Sequence, residues 1–225
     1  MSTKPKSQRP ILERIQDFIP GWVVGDVNDE EGIICNAFNH IIDLCPIDYL
    51  AKHTDAWMTI SGAGTDVDGL KILEVFMINT DLSSKYIKCK EVDHATFQKA
   101  SFAGSIHEAT KLTPIYHYDA SLADNKLKML PASVDGKATF ITYFTPHTLV
   151  DALTSSIFDV NNDIPGTLET AMMLQACIDL MRAKIASASV SDEDTELMTI
   201  YQGNIQSLQT QLDKEMQRIT GKKAD

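Results

Sequence analysis

One apolar stripe near the C-terminus restricts this chain more than anything else in it. Leu197, Tyr201, Ile205, Leu208, Leu212, Met216 and Ile219 follow one another at intervals of three or four residues, with Gln202, Asn204, Gln206, Gln209, Gln211, Lys214 and Gln217 between them. Steps of that size line one face of an α-helix, whereas a strand repeats every two residues. Ser191 is placed to cap this helix, and Asp192, Glu193 and Asp194 fall in its first turn, where the helix dipole favours negative charge. Gly221-Lys222-Lys223 supplies the stop. Such a stripe fits a helix packed on its own domain, or a coiled-coil-like seam toward a neighbouring subunit. In the second case Leu197, Tyr201, Ile205, Leu208, Leu212 and Met216 are the candidate interface residues.

Helical grammar also opens the chain. Ile11, Leu12, Ile15, Phe18 and Ile19 recur at helical spacing after Pro10, and Pro20-Gly21 ends that run. Asn28 is expected to cap a second helix, with Glu31 reaching back to it. Pro46 should kink or divide that helix, with Tyr49 and Leu50 continuing beyond. A third helix, marked by Leu168, Met172, Gln175, Ile178, Met181 and Ile185, is expected to end near Ala186.

Between these ends the pattern changes to strands. Six short runs with frequent β-branched or aromatic residues span residues 56–60, 71–78, 86–92, 114–118, 126–130 and 138–144. Gly62-Ala63-Gly64, Asp68-Gly69, Asp124-Asn125 and Asp135-Gly136 separate them as turns. The last two runs read as a hairpin or meander, and residues 94–105 as a short helix or exposed loop. The expected architecture is therefore α+β. A helical bundle forms from the N-terminal helices (1–54) and the C-terminal helices (146–225), and a β-rich lobe (55–145) is inserted between them.

Chemistry is hard to find in the sequence. Cys35, Cys45, Cys89 and Cys177 lie far apart with no C-x-x-C pair, which reads as reduced thiols packed as small hydrophobes. Gly62, Gly64 and Gly69 lack the spacing and the following helix of a dinucleotide site. Asp159, Asn161 and Asp163 alternate like a calcium loop, but Ile164 and Thr170 stand where its glycine and glutamate belong. None of the six histidines pairs at metal-binding spacing. His117, between Tyr116 and Tyr118 and followed by Asp119, is the most suggestive, and with Cys35 it supports an alternative reading as a small hydrolytic enzyme. No catalytic residue, cofactor or metal is expected.

A net charge of −11 disfavours a dedicated nucleic-acid binder and suits a surface past which DNA slides without sticking. No run approaches the roughly 20 apolar residues of a membrane helix. Residues 1–9 are basic and polar, unlike a secretory signal, which predicts a protein made in the cytoplasm.

The order of elements resembles the head-to-tail adaptor (connector or neck) proteins of tailed bacteriophages over most of the chain. The resemblance lies in the helix Ala37 to Cys45 followed by Thr54 and Trp57, and in Asp68-Gly69-Leu70 running into Val75. It extends to Pro114-Ile115-Tyr116 with Lys126 to Pro131, then Tyr143, Pro146, Leu149 to Leu153, Pro165 and the final helix. It implies a virion structural protein of the neck, forming a homo-oligomeric, dodecameric ring between portal and tail or nozzle proteins and lining the DNA channel. Another tail-completion or scaffold protein is the alternative within the structural class.

Overall fold

The computed structural model describes residues 11–54, 56–61, 64–79, 85–119, 126–145, 166–191 and 195–221. They form two compact units, Met1–Tyr49 with Phe144–Asp225, and Leu50–Tyr143. The first unit is thus discontinuous in sequence.

In the helical unit, α1 (Ile11–Phe18) buries Ile11 and Ile15. Gly21, at φ 84°, turns the chain so that Trp22 folds back and its carbonyl accepts from Gln16 Nε2 at 2.8 Å. Helix α2 (Glu30–Leu44) does not begin with the expected capping box. Asp29 precedes it in the left-handed region at φ 58° and makes no side-chain cap. Glu30 instead turns its carboxylate back onto the loop, accepting from the N–H groups of Gly25 and Val27 at 3.1 and 3.4 Å. Cys45 is extended, as a residue before proline must be, so Pro46 divides the run and α3 (Ile47–Ala51) follows.

Beyond the β unit the chain resumes as a 26-residue helix, Gly166–Ser191, called α5 because α4 lies in the β unit. It outruns the expected end at Ala186, since Ala and Ser interrupt a helix only weakly. The last helix, α6, spans Thr195–Thr220.

The expected bundle is not what these helices build. Leu168, Ala171, Met172, Met173, Leu174, Ala176, Cys177, Ile178, Leu180 and Met181 are all buried, so α5 buries a face much wider than one stripe and leaves only the side of Gln175, Asp179 and Arg182 to solvent. Helices α1, α2 and α6 each pack on α5, and the Arg14–Glu169 ion pair ties α1 to its start. A four-helix bundle shares its core among four similar half-buried faces; here α5, buried on most sides from Leu168 to Met181, is the element on which the others pack. The fold is mixed α+β, with six helices and two four-stranded sheets among the described residues.

The β unit holds both sheets. One has the order β1 (Trp57–Ile60), β8 (Gly136–Thr142), β3 (Leu70–Asn79), β4 (Lys85–Lys88). The other is β2 (Thr65–Asp66), β7 (Lys126–Leu130), β6 (Ile115–Asp119), β5 (Lys90–Glu91). All pairings are antiparallel except β5 with β6. Gly69, at φ 69°, makes the turn into β3.

The expected hairpin or meander of the last two runs does not form, because β7 pairs with β2 and β6 while β8 pairs with β1 and β3. The reason lies in the core. Leu127 and Met129 of β7 meet Ile60, Val75, Met77 and Ala138 of the other sheet, so the two strands bury their apolar residues from opposite sides. Between the sheets' strands, α4 (His94–Ala100) is capped by Asp93, which accepts from Thr96 N–H at 2.7 Å.

Candidate functional site

The stripe on α6 is unevenly placed. Leu208, Leu212 and Ile219 are buried, whereas Tyr201, Ile205 and Met216 are half-buried. The Leu197 side chain lies outside the described residues. Ile200, one step off the stripe, is 54 % exposed.

The four cysteines are buried free thiols. Burial pushes the Cys35 thiol up to about 12, helped by the carboxylates of Glu31 and Asp29. Burial does the same to Cys89 and Cys177, each also to about 12. Nucleophilic attack requires the thiolate, so these environments work against a cysteine catalyst.

His117 is drawn into a small cluster. It does not act as a dyad with its sequence neighbour Asp119, whose side chain lies outside the described residues. Instead its ring lies 5.3 Å from the His94 ring and 5.7 Å from the Phe97 ring, both on α4. His117 Nδ1 donates to the Val92 carbonyl at 3.0 Å, and His94 Nε2 meets the Gln98 side-chain amide. Glu91, Val92, Asp93, His117 and Tyr118 line an open groove of about 440 Å³ there. Asp93 is held below the ordinary carboxylate range by the Thr96 N–H it accepts from, and Tyr116 is raised by burial and by Glu91. The ring contacts join α4 to β6, and the groove stays wide to solvent.

Gly64 sits at φ 104° in a turn, while Gly62, Ala63 and the Asp159, Asn161 and Asp163 series lie outside the described residues.

The outer face of the β1–β8–β3–β4 sheet gathers residues that no local sequence pattern groups together. Strand alternation sends Met58, Ile60, Val75, Met77 and Ala138 to the core. It therefore sends Trp57, Thr59, Lys137, Thr139, Phe76, Tyr86 and Lys88 outward. Register places Thr59, Lys137, Phe76 and Lys88 in one row across the four strands. Lys137 Nζ lies 3.8 Å above the Trp57 ring and 5.3 Å from that of Tyr86. Trp57 and Tyr86 are each 54 % exposed. The signal in the sequence was simple alternation, but which alternate residues face a core depends on sheet order, which no local pattern carries.

Other large apolar side chains stand in solvent. Phe102 and Leu112 are 68 % exposed and Ile106 96 %, all in the segment after α4, and Leu44 and Ile47 are about half exposed at the α2–α3 junction. No family model, no curated protein and no solved structure matches the chain.

Proposed function

We propose that this chain is a structural subunit of a larger assembly, a head-to-tail adaptor that forms a ring in the neck of a tailed-phage particle between portal and tail. The carrying observation is the trio Phe102, Ile106 and Leu112, whose exposure on one short segment is far beyond what isolated surface residues need. Exposed apolar clusters of this kind belong at protein–protein contacts, where large side chains act as anchors. The order of elements that resembles the adaptors supports the same reading, and the acidic balance of the chain suits a channel crossed by DNA.

Co-sedimentation with purified portal tests it: wild type binds, and a Phe102→Ser/Ile106→Ser double variant that keeps its fold binds at least about tenfold more weakly. Absence of binding by the wild type contradicts the adaptor role and leaves a tail-completion or scaffold role. A hydrolytic reading draws on the His94–His117 groove. A substrate screen of wild type against His117→Ala separates the two, and the assembly reading expects equal, background rates.

A further inference from the structure

The assembly reading needs a surface by which one copy meets the next, and charge is unevenly divided in a way that identifies one. The β unit carries ten lysines against eleven carboxylates, so the net −11 of the chain falls almost wholly on the helical unit. On the outer sheet face the described charged groups are Lys137, Lys88, Glu74 and, toward the start of β3, Lys71, and Glu74 is taken by Lys88 at 2.6 Å. Lys137, between Trp57 and Tyr86, is thus the centre of a flat aromatic face with a positive middle.

The helical unit presents the complement. Asp43, Leu44, Pro46, Ile47 and Asp48 are all exposed, so an apolar step flanked by two carboxylates stands at the α2–α3 junction. A second acidic, apolar candidate, Val23 and Val24 beside Asp26, is weaker, because Asp26 already accepts from Lys184 at 3.1 Å.

We propose that the Trp57–Lys137–Tyr86 face of one copy receives the Leu44–Asp48 junction of a second copy of this chain. Leu44 and Ile47 cover the aromatic rings, and the Asp48 carboxylate accepts from the Lys137 ammonium. The two surfaces differ, so the contact is heterologous. Heterologous contacts are the kind from which rings are built, when the rotation closes. Rings that stay flat and pre-ordered by the lysine above them lose little freedom on docking. Nucleic acid is the less suited occupant: phosphate tracking needs several free cations, and this face carries the carboxylate of Glu74 with Lys88 engaged by it.

The proposal rests on the assembly reading and is tested on the full chain by sedimentation velocity across concentration and salt. Wild type self-associates, and salt weakens the association. Lys137→Asp and Asp48→Lys each weaken it by at least about tenfold, and the double variant recovers most of the loss. Trp57 gives a second readout. Trp22 is 2 % exposed and Trp57 54 %, so a blue shift and loss of acrylamide quenching on association report cover over Trp57. Circular dichroism confirms that each variant folds.

A wild type that stays monomeric at its solubility limit overturns the contact. So does association that ignores both reversals, which moves the interface elsewhere while the assembly reading stands. Quenching of Trp57 by a single-stranded oligonucleotide without self-association assigns the face to nucleic acid and also overturns it.

Discussion

Asn39 and Phe144 hold each other by a reciprocal pair of hydrogen bonds across 105 residues of chain. Phe144 N–H donates to Asn39 Oδ1 at 2.9 Å, and Asn39 Nδ2 donates to the Phe144 carbonyl at 3.0 Å. The Phe144 ring meets the Phe38 ring edge-on with centroids 5.3 Å apart. One turn of α2 therefore clasps the residue, two beyond the end of β8, at which the chain re-enters the helical unit. A side-chain amide suits this task because it offers a donor and an acceptor in one plane, as a backbone partner would.

Asn39→Leu should accordingly destabilise the protein by about 1–3 kcal/mol, since it strips both partners from a half-buried peptide group. Thermal melts check this, and Asn39→Gln should recover little because the longer arm misplaces both bonds. An unchanged melting temperature in Asn39→Leu would mean that water satisfies Phe144 equally well.

The α6 stripe gives a graded prediction. Leu208→Asp and Leu212→Asp each place a carboxylate at a buried site and should cost roughly 3 kcal/mol or more. Ile200→Asp, at a 54 % exposed position, should change stability by less than about 0.5 kcal/mol. Denaturant titrations separate the outcomes, and folding retained by both buried variants would show that the stripe does not face α5.

These residues also show what the sequence disclosed. Helix positions followed from period and punctuation: Pro20-Gly21 and Pro46 cut where a missing N–H or a left-handed residue must cut. The strands of the middle segment were legible for the same local reason. Sheet membership was not. Leu127 and Met129 alternate in the same way whether they pair with β8 or face it across the core. The same limit concealed the Trp57–Lys137–Tyr86 face, whose members are separated by up to 80 residues and brought together by strand order. It concealed the role of α5 too. Met173, Leu174 and Leu180 lie off the stripe that a one-sided helix needs, and only a helix surrounded by others uses them.

The thiols respond to pH in a definite direction. Cys35, Cys89 and Cys177 have pKa values raised from 9.0 to about 12 by burial, so the folded protein keeps protons that the unfolded chain releases. The stability linked to them is whole below pH 9 and is lost as pH rises from there toward 12. Native protein at pH 8 should therefore react negligibly with a thiol reagent, while unfolded protein titrates four thiols per chain. Rapid modification of Cys35 in the folded state would contradict this and revive a nucleophilic role for it.

Gly136 is fixed by close packing and not by backbone angle. A Cβ there would lie 2.6 Å from the Phe76 carbonyl oxygen and 2.9 Å from Met129 Sδ. The carbonyl belongs to the β3–β8 ladder and cannot retreat without breaking it. Gly136→Ala should cost about 1–3 kcal/mol, the usual range for overpacking. Pairing it with Met129→Leu should not restore stability if the backbone contact dominates, and full recovery would place the conflict on the sulfur.

The central claim is that the chain acts by position in an assembly, and imaging purified phage particles bearing a label on this chain tests it most directly. The account expects a ring of labelled copies at the neck, between portal and tail, with the outer sheet face of each against its neighbour. Label elsewhere in the particle, or particles that lack the chain, would contradict it.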